Sequence, residues 1–302
     1  MSIHGTIDTV AVSLGSKFMP KYFREGAESA SLADNLAGVS LELPELGGEG
    51  DYDLTTSTLV GELNAGFRLA QWIGEDAPAV IYHHGASETP FDYGFKGIFP
   101  LRKMNIPVNF FLVRAPFHRT MKEFQAGIRN LANVTAMLAV SVCLMEHLVK
   151  YCRGKGVNRV LIAGTSLGGF ITNLHHIHYN SADVYTPLLA GLAMDDAYLV
   201  SDYSKAVDLQ ARENYSGQIK AVLNFEADFA AQDYHNVFPL LALHDRLIRF
   251  ERQKESYGEC PVEVINKGHT TGALAYGELR RHILNYLGTH SASQQNQKEK
   301  VC

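Results

Sequence analysis

Between Val160 and Phe170 the chain reads VLIAGTSLGGF: an apolar run ends at Ser166, with Gly164 before it and Gly168 and Gly169 after it, and the residues beyond read as a helix. A serine hydroxyl is a weak nucleophile until a base takes its proton, and the base needs a carboxylate to fix its tautomer and steady its positive charge. Downstream, Asp245 follows the apolar run VFPLLALH, and His269 stands in NKGHTTG just after PVEVI. A serine, then an acid, then a histidine, each after a strand-like run, is the set needed for acyl transfer through a covalent acyl-enzyme. Other candidates stay open. For the base they are His244, adjacent to the acid, and His282, in the last helix. For the acid they are Asp195 and Asp196, which follow the preceding strand and can reach the same imidazole.

The spacing of the glycines has a steric reason. A parallel strand that turns sharply into a helix forces the turn residue into a strained backbone conformation, and side chains beside it would collide with neighbouring elements. Gly164-Thr165-Ser166-Leu167-Gly168 fits the pattern G-x-S-x-G with a strand before it and a helix after it. The bland alternative is a glycine-rich turn holding a phosphate on helix amides; a Walker-type loop would need Lys after the glycines, where Phe170 stands. His175, His176 and His178 suggest a metal by composition, but only His175 and His178 share a helical face and no carboxylate adjoins them in sequence, so no metal is expected. Arg114, Phe117 and His118 follow a strand end and are expected at a pocket wall.

The elements that must position these groups alternate. TSTLVGEL and GFRLAQWI suit an antiparallel pair leading into the buried strand APAVIYHH; IPVNFFLVRAP is a continuous apolar run of the kind covered on both faces. Apolar residues from Phe124 to Val149 recur at helical spacing and predict one long buried helix stopped by RGKG. RVLIAG, TPLLAGLAMDD, VFPLLALHD and PVEVINKGH read as strands, RLIRFERQKESYG and ALAYGELRRHILNYLG as helices. The whole predicts a mostly parallel sheet with helices on both faces. Residues 195–235 are a helix-leaning stretch too long for a simple crossover, expected to be a small cap over the site. Tyr198, Tyr203, Phe225 and Phe229 are its candidate substrate contacts. Residues 1–52 form an extension with a short helix expected around KFMPKYFRE, residues 53–288 the catalytic domain, and residues 289–302 a polar tail.

With GTSLGG, LALHDRLI and NKGHTTG in this order, the chain resembles the α/β-hydrolase superfamily, and HHGASE, His83 to Glu88, resembles its H-G segment after the third strand. The resemblance implies an eight-stranded α/β sheet with Ser166 as nucleophile, His269 as base, Asp245 as its orienting acid, and the backbone N–H groups of Leu167 and Ala86 as oxyanion donors. His84 is then a shaping residue of the turn and, with Arg114, Phe117, Tyr198 and Phe225, a pocket candidate. LALHD departs from the common acid loop, which has Gly shortly before the Asp. The implied activity is hydrolysis of a small-molecule carboxylic ester, or of a thioester or amide, without cofactor. Acyl transfer and a non-catalytic ligand-binding role on the same fold are the alternatives.

Composition sets the outer bounds. The chain has 302 residues, 46% of them hydrophobic, enough for one large core. A net charge of −5, from 27 basic and 32 acidic residues, leaves no electrostatic footprint for nucleic acid. The first residues lack the basic and apolar regions of a signal peptide, and no run of about 18 apolar residues suggests a membrane span. Cys143, Cys152, Cys260 and Cys302 have no metal-type spacing. Free thiols in a reducing cytoplasm are the expectation.

Overall fold

The structure is a computed structural model that describes residues 2–18 and 20–288. Its centre is an eight-stranded sheet: β1 (Gly50–Thr58), β2 (Gly61–Gln71), β3 (Ala79–His83), β4 (Asn109–Arg114), β5 (Val160–Thr165), β6 (Val184–Leu188), β7 (Leu240–Ala242) and β8 (Glu263–Ile265). The spatial order is β1-β2-β4-β3-β5-β6-β7-β8. β1 pairs antiparallel with β2, and β2 with β4; every later pairing is parallel.

Because side chains alternate faces along a strand, the central strands feed two cores. Ile81, Phe111, Val113 and Ile162 belong to the first, which the helices Leu131–Gly154 and Leu167–His178 cover. Val80, Tyr82, Phe110, Leu112 and Leu161 belong to the second, covered by helices Tyr93–Ile98 and Tyr276–Gly288. Burial on both faces is why these strands read as unbroken apolar runs. The Leu131–Gly154 helix is long and apolar enough to cross a membrane, with mean hydropathy 1.6 over its best window, yet 83% of that window is buried inside the protein. It is the core helix.

Several boundaries differ from the expectations. TSTLVGEL, expected as one strand, contains the hairpin turn itself: Leu59 and Val60 are exposed between β1 and β2, and Gly61 has φ +104°. No Asn-Gly or Asp-Gly pair announces this turn. The helix expected to run from Phe124 to Val149 is broken into Met121–Gly127 and Leu131–Gly154. Asn130 accepts from the Ala132 N–H as cap of the second helix, and its backbone bridges to Gly26.

The N-terminal helix is not around KFMPKYFRE but earlier, over Ile3–Phe18, and residues 20–25 are not helical; Met19 lies outside the described residues. This helix packs against the Asp202–Ala206 turn and the His269–Ala273 helix. Between β6 and β7 the chain runs through helices Met194–Leu199, Leu209–Leu223 and Glu226–Ala230 and the 3-10 turn Asp202–Ala206. Cys143, Cys152 and Cys260 are buried free thiols. The polar tail with Cys302 lies outside the described residues.

Candidate active site

Ser166 sits between β5 and the Leu167–His178 helix with φ 58° and ψ −112°, a left-handed conformation that non-glycine residues seldom adopt. The packing around it explains the glycines. A methyl group on Gly164 would fall on the backbone of Gly168, and one on Gly168 would fall on the His83 carbonyl. With both absent, helix, β5 and β3 close together, and the Ser166 N–H reaches the Leu188 carbonyl of β6 at 2.8 Å.

The loops after β7 and β8 bring the two distant partners to that hydroxyl. Ser166 Oγ donates to His269 Nε2 at 2.9 Å, and His269 Nδ1–H donates to Asp245 Oδ2 at 2.6 Å. The other oxygen of Asp245 accepts the Leu247 and Ile248 N–H groups at 2.9 and 2.8 Å, which fixes the carboxylate from behind. Side-chain exposure is 2% for Asp245 and 12% for His269, so the pair is withdrawn from water while the imidazole edge stays at the cavity. Burial pushes the His269 pKa down, but the Asp245 carboxylate and, more weakly, Asp8 outweigh it and hold the imidazole above its ordinary value. Burial raises the Asp245 pKa, opposed by His269 and the Ile248 N–H.

Ala86 and Leu167 lie with Ser166 and His269 on the cavity wall. The Leu167 N–H is the first of its helix and has no intrahelical acceptor. His84 Nδ1–H donates to the Gly85 carbonyl at 2.7 Å and His84 Nε2 accepts the Ala115 N–H at 3.1 Å. That fixes its tautomer and holds the peptide plane carrying the Ala86 N–H. Burial, with His118 and His83 close by, keeps His84 neutral, its pKa well below the usual imidazole range. Glu88 accepts the Gly85 and Gly94 N–H groups at 2.9 and 2.8 Å and braces the same loop.

The cavity measures about 380 Å³ and is mostly apolar: Ala11 and Val12 of the N-terminal helix, Tyr22, Phe124, Phe170, Met194, Tyr198, Tyr203 and Ile248 line it. Tyr203 Oη donates to Tyr22 Oη at 2.7 Å. Of the pocket residues expected from the sequence, Tyr198 and Tyr203 line the cavity, while His84, Arg114, Phe117, His118, Phe225 and Phe229 do not; His118 is buried and bonds the Pro116 carbonyl at 2.8 Å and the Ala86 carbonyl at 2.5 Å. His84 is buried behind the wall. Arg114 turns toward the β1–β2 hairpin, pairing with Asp53 at 2.7 Å and donating to Asn64 and Ala65 at 2.8 Å. Phe117, at φ 64°, is packed on Gly127. Phe225 is a core residue whose N–H bonds the Leu192 carbonyl, and Phe229 stacks on Tyr234, with His176 tilted against it and Tyr257 edge-on, away from the cavity.

The rival acids and bases are occupied elsewhere. Asp195 accepts from Asn224 at 3.0 Å, and Asp196 is paired with Arg249. His244 bonds Asn266 at 2.8 Å, and His282 bonds the Phe238 carbonyl at 2.9 Å. A carboxylate does join the histidine cluster after all: Glu146, from the core helix, lies 3.3 Å from His175, while His176 meets the Asp233 carbonyl. Sequence reasoning missed Asp8, Tyr22 and Phe124, which come from the N-terminal extension or from a helix read as core. Only the Glu88 of HHGASE carried a signal.

The strand order with its antiparallel start, the strand–serine–helix turn at the centre of the sheet and the loops after β7 and β8 define the α/β-hydrolase fold. Solved structures share it. A hyperthermophilic esterase from the archaeon Pyrobaculum calidifontis aligns over 94% of this chain and 98% of its own, with TM-score 0.53 and 14% identity. Acetyl xylan esterase 1 from Thermoanaerobacterium sp. aligns over 84% of this chain and 97% of its own, at TM-score 0.51 and 12% identity. Pyrococcus horikoshii acylaminoacyl peptidase aligns over 80% of this chain at TM-score 0.50 and 14% identity; there this chain spans only 42% of the other's length. No protein-family model matches the chain, and no curated protein matches it in sequence.

Proposed function

We propose that this protein is a serine hydrolase that cleaves a carboxylic ester through an acyl-enzyme on Ser166. The observation that carries the reading is the unbroken hydrogen-bonded series from Ser166 through His269 to the buried Asp245, opening on a largely apolar cavity. Ser166 Oγ attacks the ester carbonyl carbon as its proton passes to His269 Nε2. Asp245 holds the Nδ1–H tautomer and stabilises the imidazolium. The tetrahedral oxyanion takes the N–H groups of Ala86 and Leu167, each worth about 2.7 to 4 kcal/mol to the barrier when aimed at it. His269 then returns the proton to the departing alkoxide, and the alcohol leaves. In the second half, His269 takes a proton from water, the hydroxide attacks the acyl carbon, and the carboxylic acid departs as Ser166 regains its proton.

The apolar lining favours an ester whose acyl group is itself apolar. The buried, unpaired thiols of Cys143, Cys152 and Cys260 suit a reducing cytoplasm.

A fluorophosphonate should label Ser166, and Ser166→Ala should abolish labelling and lower kcat by roughly 10^4 to 10^6 while the fold is kept. Asp245→Asn should cost about 10^4 in kcat, since an amide supports the wrong tautomer, and Asp195→Asn should leave kcat close to wild type. Label on another serine, or turnover intact in Ser166→Ala, overturns the assignment.

A further inference from the structure

The N-terminal helix Ile3–Phe18 brings a buried carboxylate to the back of the catalytic loops. Asp8 is 0% exposed. Its Oδ2 accepts the His269 N–H at 2.7 Å and, at 3.4 Å, the Arg246 N–H; its Oδ1 accepts the Thr270 N–H at 2.9 Å. One side chain therefore bridges the residue after Asp245 and the backbone of His269 itself. These N–H groups need such a partner: His269 and Thr270 open a helix, where the first donors have no intrahelical acceptor, and the cap position before them is Gly268, which has no side chain to offer.

We propose that Asp8 is a positioning residue for the catalytic histidine, setting the place of the His269 backbone relative to the acid loop and to a helix that walls the substrate cavity. The proposal rests on the hydrolase function above. The surroundings show a fitted joint. A methyl group on Gly268 would stand 2.7 Å from Asp8 Oδ2 and 2.9 Å from the His4 carbonyl, so glycine is what lets the helix approach. Thr271 Oγ1 meets His4 Nδ1 at 3.0 Å, and Thr9 donates to Asp202 at 2.7 Å, which in turn pairs with Arg246 at 2.9 Å. One turn on from Asp8, Ala11 and Val12 line the cavity. A shift of the helix thus moves the histidine and the cavity wall together.

The groups facing His269 are Asp245 at Nδ1, Ser166 at Nε2 and Asp8 behind its backbone, with Glu88 on the cavity wall and the Arg246 charge already paired to Asp202. Against the downward push of burial, Asp245 most and Asp8 after it raise the imidazole pKa. Loss of the Asp8 charge therefore moves that pKa down.

The test compares wild type, Asp8→Asn and Gly268→Ala in the full chain, with active sites counted by fluorophosphonate labelling and p-nitrophenyl butyrate as substrate. Asp8→Asn places an NH2 where one N–H now points. We expect kcat per labelled site to fall about 10- to 100-fold, the scale of an ångström-sized misplacement, KM to change by less than about threefold, and the acid limb of kcat/KM to move to lower pH. Gly268→Ala keeps the charge but displaces the carboxylate; kcat should fall while the acid limb stays. Wild-type kcat and acid limb in Asp8→Asn, with only its melting temperature lowered, overturn the proposal. Should Asp8→Asn not fold, wild-type kcat in Gly268→Ala does so. Labelling at Ser166 in all three proteins keeps the hydrolase reading intact whatever kcat does, whereas failure to label wild type sinks that reading instead.

Discussion

As the base of the proposed reaction His269 must be neutral, and its surroundings favour the charged form: Asp245 at 2.6 Å and Asp8 at its backbone outweigh burial and raise its pKa. The sign for catalysis follows. A base with a raised pKa is protonated over a wider range, so kcat/KM should rise with pH along a limb whose midpoint lies above the ordinary imidazole value of about 6.5. A pH profile with a non-ionising ester measures it; a midpoint below that value would mean burial dominates the pair. At this scale the sequence is legible where a residue type is tied to a strand end by its chemistry. Ser166, Asp245 and His269 each follow an apolar run, and the structure joins them in one series. Position after a strand says which end of the sheet a residue occupies, not which way its side chain turns. Arg114 sits at such an end yet points to the hairpin and Asp53. Asp8 had no signal at all, being separated from His269 by 261 positions.

Among elements, the segment between β6 and β7 divides in two. Its first part, with Tyr198 and Tyr203, lines the cavity; its later part, with Phe225 and Phe229, fills the core behind the Leu167–His178 helix. Substitution should separate the halves. Tyr198→Ala and Tyr203→Ala should change relative kcat/KM across esters of increasing acyl length by roughly 10- to 200-fold at most. Phe225→Ala and Phe229→Ala should leave that profile unchanged and instead cost about 3 to 5 kcal/mol of stability. A chain-length panel with thermal melts decides between them. Helical periodicity showed this segment to be helical but not which aromatic faces substrate, because both halves bury their aromatics. Periodicity likewise ran past the break at Ile128–Asn130, which is set by the contact of Gly26 with Asn130 rather than by local pattern.

At the scale of the molecule, alternating apolar runs and helical stripes were enough to predict a parallel sheet covered on both faces, since only such a sheet needs strands apolar on both sides, as Phe110 and Phe111 are in β4. The N-terminal residues could not be placed from sequence. Their partners, the loops after β7 and β8, come more than two hundred residues later. The buried cysteines give this assembly an internal clock. Burial raises the Cys143 thiol pKa and pushes Cys152 up to about 12 and Cys260 up to about 11, so the reactive thiolate is scarce as well as hidden. Cys152 is on the core helix and Cys260 precedes β8. Iodoacetamide in native buffer, read by peptide mapping, should modify these three only as fast as the surrounding structure opens, and at equal rates if the sheet opens as one unit. Faster modification of Cys260 would time the β7–β8 edge, with the acid and histidine loops it carries, coming away before the rest: the Ser166–His269–Asp245 series would then come apart while most of the sheet still stands.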